Sequence, residues 1–556
     1  MGVLDRGWDA AHQEGLEKMK FLKPVVFCAI CVGAFFAAQH ILMRDWSDMN
    51  NIYYAIGGID EVGDDSIEVL FIGASEMQYD ISPMKLYEDT GVRSYNLATP
   101  GQPISCSYYL LREALKEHSP SLVVLEATGL FFGGVGLEDD ECWRYILDNL
   151  ELSSNKIEMA EAYEEAVVGG DRWNALLPMI KYHMRWSELN ASDFRFDRDV
   201  DYYSAGQWIL GTVSPAAITL ELIDAERDHL LTLNQEEVQY IENGIPNKYT
   251  IESSLYAPSI SAYCEEYFLK MKLLCEEHGA QLLLVKVPYV YSPALLARYS
   301  WTESNYQITK SFADQHLVAY FDMSYDIDGV VDFTTDTFDG GIHLNARGAE
   351  KTTQALGEYL LQNYELKSVH DPQYESNLDK YRGLRDIAYL QSEMNFDNYM
   401  DTLLQNKDKW TILMAVKDNY VSTALPLDYD AFEKLGLQLI QNGEFWDAYV
   451  AIIERGTVRY EALSGRAVNY AANLESINVN MSSSGWYTVP NASIVVNGQE
   501  AALNGEGLNI VVFDNESGLV IDSASFDTYQ ESRPGTHRWW ENFTALRAYE
   551  REFCFE

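Results

Sequence analysis

Short apolar runs alternate with longer amphipathic stretches over the first two thirds of the chain. The runs fall at 68–72, 94–97, 122–126, 281–287 and 318–323, and helical spacing is clearest at 107–118, 261–278 and 346–363. Alternation of this kind predicts a parallel sheet with helices on both faces. The stretch from Gln281 to Val287 is nearly all apolar, as a strand covered on both sides requires. Between the third and fourth runs lies an insertion at about 130–255, long enough to fold on itself and roof the active face. Past residue 365 the pattern changes. Residues 366–394 are polar and read as a linker, and 395–530 read as a β-rich α+β domain. Its expected strands are 411–416, 448–454, 476–481, 492–496, 508–513 and 519–522, with a helix near 429–442. Asn497-Gly498 between two strand-like runs is a hairpin signal.

One segment belongs to neither pattern. Residues 24–43 carry no formal charge and match the ~20 residues that a helix needs to cross ~30 Å of hydrocarbon. Arg6, Lys18, Lys20 and Lys23 precede it, whereas Arg44, Asp45 and Asp48 follow. The basic flank predicts a cytoplasmic tail (1–23), a single uncleaved transmembrane helix (24–43), a linker (44–65) and everything later outside the cell membrane.

Net charge changes the list of partners. The 556 residues carry −45 at pH 7, which repels a nucleic-acid backbone and excludes that class. Five of the seven cysteines lie outside the apolar segment, an odd number that implies no complete disulfide framework. No His/Cys spacing outside that segment suits zinc, so no structural metal is indicated. No cofactor is expected.

The candidate chemistry sits at the end of the first run, Val69-Leu70-Phe71-Ile72-Gly73-Ala74-Ser75-Glu76. Ligands of open α/β sheets bind beyond the carboxyl ends of strands, which is where Ser75 falls. Its bland alternative is a cap for the helix starting near Pro83. A serine hydroxyl attacks an acyl carbonyl only when a base takes its proton. His343, in Gly340-Gly341-Ile342-His343-Leu344-Asn345, is the candidate base, and Asp339 or Asp336 would orient it. The alternative for His343 is a cap on the helix from Ala346. The backbone N–H groups of Ser75 and Gly101 would form an oxyanion hole, a glycine allowing close approach of the backbone. In the insertion, Lys181-Tyr182-His183-Met184-Arg185-Trp186 offers His183 and Arg185 as substrate ligands, or else a buried structural cluster with Trp186. Asn345 is a further candidate for substrate binding.

These blocks resemble the SGNH/GDSL hydrolase family, in its membrane-anchored DltD-like and alginate-acetylase-like branch. The matching residues are Gly73-Ala74-Ser75, Asn96 to Gly101, and Asp339 to Asn345, over about 66–365. The resemblance implies a flavodoxin-like parallel sheet and metal-free ester hydrolysis or acyl transfer. There are three departures: GAS stands for GDS, Gly340 occupies the usual aspartate position three residues before the histidine, and Glu126-Ala127-Thr128-Gly129 replaces a Gly-x-Asn-Asp block. The second oxyanion donor is therefore unassigned. Residues 395–530 resemble the interleukin-like EMT inducer (ILEI) domain through Ser493–Gly498, Gly507–Asp514 and Val520–Thr528, which implies carbohydrate binding. The expectation is a surface-anchored serine esterase or O-acyltransferase acting on cell-surface polysaccharide or other glycan. Family context adds a membrane-bound O-acyltransferase as partner. The competing expectation is an inactive glycan-binding scaffold of envelope assembly.

Overall fold

The computed structural model describes residues 4–43, 56, 58–62, 67–189, 191–194, 259–288, 303–327, 329–331, 336, 343–344, 346–393, 395–421, 427, 429–529 and 535–537. The first sheet is built from β1 (Val69–Ile72), β2 (Ser94–Asn96), β3 (Leu122–Glu126), β4 (Gln281–Lys286) and β5 (Ala319–Asp322). Their order is β2-β1-β3-β4-β5, and every neighbour is parallel. This is the doubly wound flavodoxin-like order, whose direction of winding switches between β1 and β3. β1 and β3 are buried along their whole length, which is why their sequences show no polar alternation. One face packs Leu70, Ile72, Val123 and Leu125 against the helices Ile104–Ala114 and Ala262–His278. The other packs Val69, Phe71, Val124 and Val285 against Leu356 and Leu360 of the helix Ala346–Asn363.

The second sheet has ten strands: β6 (Trp410–Asp418), β7 (Ala448–Glu454), β8 (Thr457–Ser464), β9 (Ala467–Asn473), β10 (Asn478–Gly485), β11 (Asn491–Val496), β12 (Gln499–Glu500), β13 (Gly507–Asp514), β14 (Val520–Phe526) and β15 (Gly535–His537). Alternation along β6 sorts its two faces. Ile412, Met414 and Val416 share a core with the helices on one side, while Leu413 and Ala415 face the strands that fold back on the other. Asn497 and Gly498 both take positive φ, 50° and 87°, as the hairpin signal requires. Asp514 and Asp527 each accept a backbone N–H in a turn, from Ser517 and Tyr529.

Several expectations need correction. The stretch 366–394, expected as a linker, contains a helix at Pro372–Ser392. Its buried Tyr374, Leu378, Tyr381 and Ala388 recur at helical spacing, but the charged residues between them hide the stripe. This helix ties the two sheets together: Arg382 and Arg385 bond Glu88 at 2.7 and 3.1 Å, and Gln391 donates to the Ile521 carbonyl at 2.5 Å. The helix expected at 429–442 is reduced to Asp430–Lys434, because the chain turns at Gly436 with φ +91°. β8 and β9 were not expected, and β15 lies past the expected end of the domain at 530.

Candidate active site

The residue after β1 is glycine for a steric reason. A Cβ there would lie 2.5 Å from Glu126 Cβ and 2.8 Å from Met77 Cβ. Ser75 follows as the first residue of the short helix Ser75–Asp80 and is half-buried. It is not the cap of the helix at Pro83, because Ser82 takes that role and accepts from Lys85 N at 3.2 Å. From far along the chain, His343 brings its Nε2 to 2.8 Å from Ser75 Oγ. The tautomer in which Nε2 accepts the hydroxyl proton carries its own ring proton on Nδ1.

The two arms are held together by groups around them. Asp80, wholly buried on the serine's helix, accepts Leu344 N at 2.9 Å and so docks the residue after the histidine. The Tyr79 ring lies 4.9 Å from the imidazole. Asn96 donates to the carbonyls of Met77 at 2.8 Å and Ile81 at 3.3 Å, closing the end of the serine's helix. Ser82 N donates to Thr353 Oγ1 at 2.9 Å, so the Ala346–Asn363 helix is tied to the same segment.

Beneath the serine lies a buried cluster of charges drawn from three neighbouring strand ends. Lys286 Nζ is 3.1 Å from Glu126 Oε1, 2.9 Å from Thr128 Oγ1 and 3.6 Å from Glu76 Oε1. Glu76 Oε2 is also 3.5 Å from Ser75 Oγ. Burial works to raise the Glu76 carboxyl, but the Lys286 ammonium and His343 outweigh it and hold the group below its usual range. Burial pushes the Glu126 carboxyl up, against Lys286, with Glu76 adding to the rise. Burial works to lower Lys286, yet Glu126, Glu76 and Asp322 raise it above its ordinary value, so it stays charged. An ionised carboxylate therefore sits beside the serine and the histidine, fixed from behind by one lysine.

The structure places the remaining candidates variously. Gly101 is exposed with φ +61°. Its loop runs along β1, with Leu97 N donating to Phe71 O at 2.8 Å and Thr99 N to Gly73 O at 3.3 Å. Gln102 braces the loop by accepting from Thr99 Oγ1 and donating to Ser107 Oγ, each at 2.9 Å. Asp339 and Asn345 lie outside the described residues. Asp336 is buried and its carboxylate is 2.6 Å from Lys351 Nζ.

His183 and Arg185 both bond within the chain. His183 Nδ1 bonds the Ile180 carbonyl at 2.8 Å. Arg185 donates to Leu42 O at 3.3 Å and to Met43 O, and pairs with Asp193 at 2.7 Å. It caps the end of the long N-terminal helix, whose last carbonyls have no donor within the helix itself. Trp186 is 67% exposed, so the segment does not form the buried cluster offered as the alternative.

Sequence reasoning missed Glu76, Asp80, Glu126 and Lys286. A signal existed for the lysine: a lone charge in an apolar strand needs a buried counter-charge. Among the described residues no group of three or more His, Cys, Asp or Glu side chains is placed to hold a metal ion.

No family model matches the chain, and no curated protein does. Among solved structures it is similar to a chain described as an acylhydrolase from Bacteroides fragilis NCTC 9343. That match has 11% identity and a TM-score of 0.25, and covers 57% of this chain and 99% of the other. It is also similar to a GDSL-like lipase from Bacteroides thetaiotaomicron VPI-5482, with 10% identity, a TM-score of 0.22 and coverage of 53% and 87%. At such scores the superpositions add nothing to the topology and hydrogen bonding described above.

Proposed function

We propose that this chain is an SGNH-type serine esterase or O-acyltransferase, anchored in the cell membrane with its catalytic part outside, acting on acyl groups of cell-surface glycan. The observation that carries this reading is the 2.8 Å approach of His343 Nε2 to Ser75 Oγ. In the reaction, Oγ attacks the acyl carbonyl carbon while its proton passes to Nε2. The tetrahedral intermediate collapses, the ester oxygen leaves with that proton, and an acyl-serine remains. Water or a sugar hydroxyl then attacks, giving its proton to Nε2, and Ser75 is regenerated. The backbone N–H groups of Ser75 and Gly101 are the proposed oxyanion donors, and Asp339 or Asp336 the proposed partner of Nδ1.

Anchoring is supported by Lys23–Leu42, a 20-residue stretch of mean hydropathy 2.2 with none of its apolar window buried. The lysines and arginine before it favour a cytoplasmic tail. The glycan is supported by the ILEI-type resemblance and by exposed aromatic rings at one end of the second sheet. Trp486 and Tyr487 stand in solvent, Trp446 lies 5.5 Å from Tyr487, and Phe445 lies 6.4 Å from Tyr529. Such faces suit the C–H edges of sugar rings. A membrane-bound O-acyltransferase would supply the acyl group if the reaction is transfer.

Labelling by a fluorophosphonate probe tests the assignment. Wild type should label and Ser75→Ala should not. Absence of label on properly folded wild type would leave the scaffold reading instead.

A further inference from the structure

The N-terminal helix, Leu4–Leu42, does not stand free along its length. Residues 23–36 are exposed, and partial burial begins at Ala37 and continues to Met43. The cover comes from the insertion. Met179 N donates to Gln39 Oε1 at 2.6 Å, and Arg185 reaches the Leu42 and Met43 carbonyls. The covering segment is also fastened to the body of the α/β unit. Buried Arg144 donates to the Asn174 carbonyl at 3.1 Å, and Tyr182 OH bonds Asp148 at 2.5 Å.

This segment exposes five large apolar side chains. Trp173 is 60% exposed, Ile180 43%, Met184 67%, Trp186 67% and Phe194 55%. We propose that residues 172–189 and 191–194 form a foot seated in the outer interface of the bilayer, with the lipid headgroup and upper acyl region as its partner. The inference rests on the membrane-spanning reading of Lys23–Leu42.

Length decides the occupant. Twenty helical residues rise ~30 Å, the full hydrocarbon thickness, so the span has none to spare. Residues 37–42 lie within ~8 Å of its outer end, and whatever grips them lies at the same depth. That is the depth at which interfacial segments insert their apolar side chains, and tryptophan is enriched there. Electrostatics sets the lipid preference. Arg172 pairs with Glu161 and Glu164, Lys181 with Asp140, and Arg185 with Asp193. The cations are neutralised within the chain, so the foot seats by apolar contact and needs no anionic lipid.

The test uses the full-length chain in nanodiscs of phosphatidylcholine, with and without bromine on the acyl chains. Bromine quenches tryptophan fluorescence on contact. Trp46, next to the span in sequence, is common to all variants. The variant Trp173→Phe/Trp186→Phe should lose roughly half of the bromine-dependent quenching, whereas Met184→Trp should gain. Membranes extracted with alkaline carbonate report on the span separately. Retention with equal quenching in all three proteins would overturn the foot and leave the span standing. Equal quenching together with a two-copy mass would assign the apolar side to a second copy. Release by carbonate would overturn the span and the foot with it.

Discussion

Asp80 and Leu344 share a 2.9 Å hydrogen bond between a buried carboxylate and a backbone N–H 264 positions away. This bond sets the height of His343 above the serine's helix. Asp80→Ala should leave the Leu344 N–H buried without its acceptor, at ~1–3 kcal/mol of stability. A histidine displaced by about 1 Å should lower kcat/KM roughly 100-fold. Asp80→Asn keeps an acceptor and should recover most of the activity. Steady-state kinetics and thermal midpoints of the three proteins check both effects.

Ser75 and His343 should behave as one unit. Each alanine variant is expected to lower kcat for p-nitrophenyl acetate by about 10³ or more, and the double variant should be no worse than either single one. Strictly multiplicative losses would show that the two groups act in separate steps.

The charges under the serine predict a contrast. Lys286→Met strips the counter-charge from both Glu76 and Glu126 and should destabilise the fold by ~3–5 kcal/mol. Glu76→Gln leaves Lys286 paired with Glu126, so its stability should change by only about 1 kcal/mol. Its loss should be in rate, on the order of tenfold, because the carboxylate beside Ser75 and His343 is gone. Urea midpoints and kcat for the two variants separate these outcomes.

A second buried acid gives a prediction in pH. Burial pushes the Glu138 carboxyl up to about 7, despite hydrogen bonds donated by Ser105 at 2.7 Å and Trp143 at 2.6 Å. An unfolded glutamate titrates near ~4.3, so between the two values only the folded state holds the proton. Stability supplied by this group is full below about pH 4.3 and falls as pH rises toward 7, by up to ~3 kcal/mol. Glu138→Gln should flatten that fall, seen as a smaller drop in thermal midpoint between pH 5 and 8.

Legibility in the sequence followed how local each signal was. β3 and β7 lie where their apolar runs placed them, because a strand buried on both faces writes itself as a continuous run. Ser75 was marked by the run and the glycine before it, and His343 by the block around it. Arg385, Tyr389 and their neighbours disguised a helix as a linker, since its apolar stripe is narrow and its charges pair with Glu88 and Glu350 on other elements. β8 was hidden for a similar reason: Arg459 and Glu461 interrupt it and are satisfied by Glu454 and by backbone N–H groups near Gln438. The Glu76, Glu126 and Lys286 cluster depends on β4 lying next to β3, a fact of strand order that spacing along the chain does not encode. The same holds for Arg185, whose role depends on where the N-terminal helix ends.

The strand order also governs when the proposed reaction can first occur during synthesis. The serine leaves the ribosome 268 residues before the histidine, roughly 15 to 50 s earlier at ordinary elongation rates. A nascent chain therefore carries an unarmed hydroxyl until the later segment has emerged and folded. The proposed chemistry can begin only after β5 and the helix at Ala346 have docked.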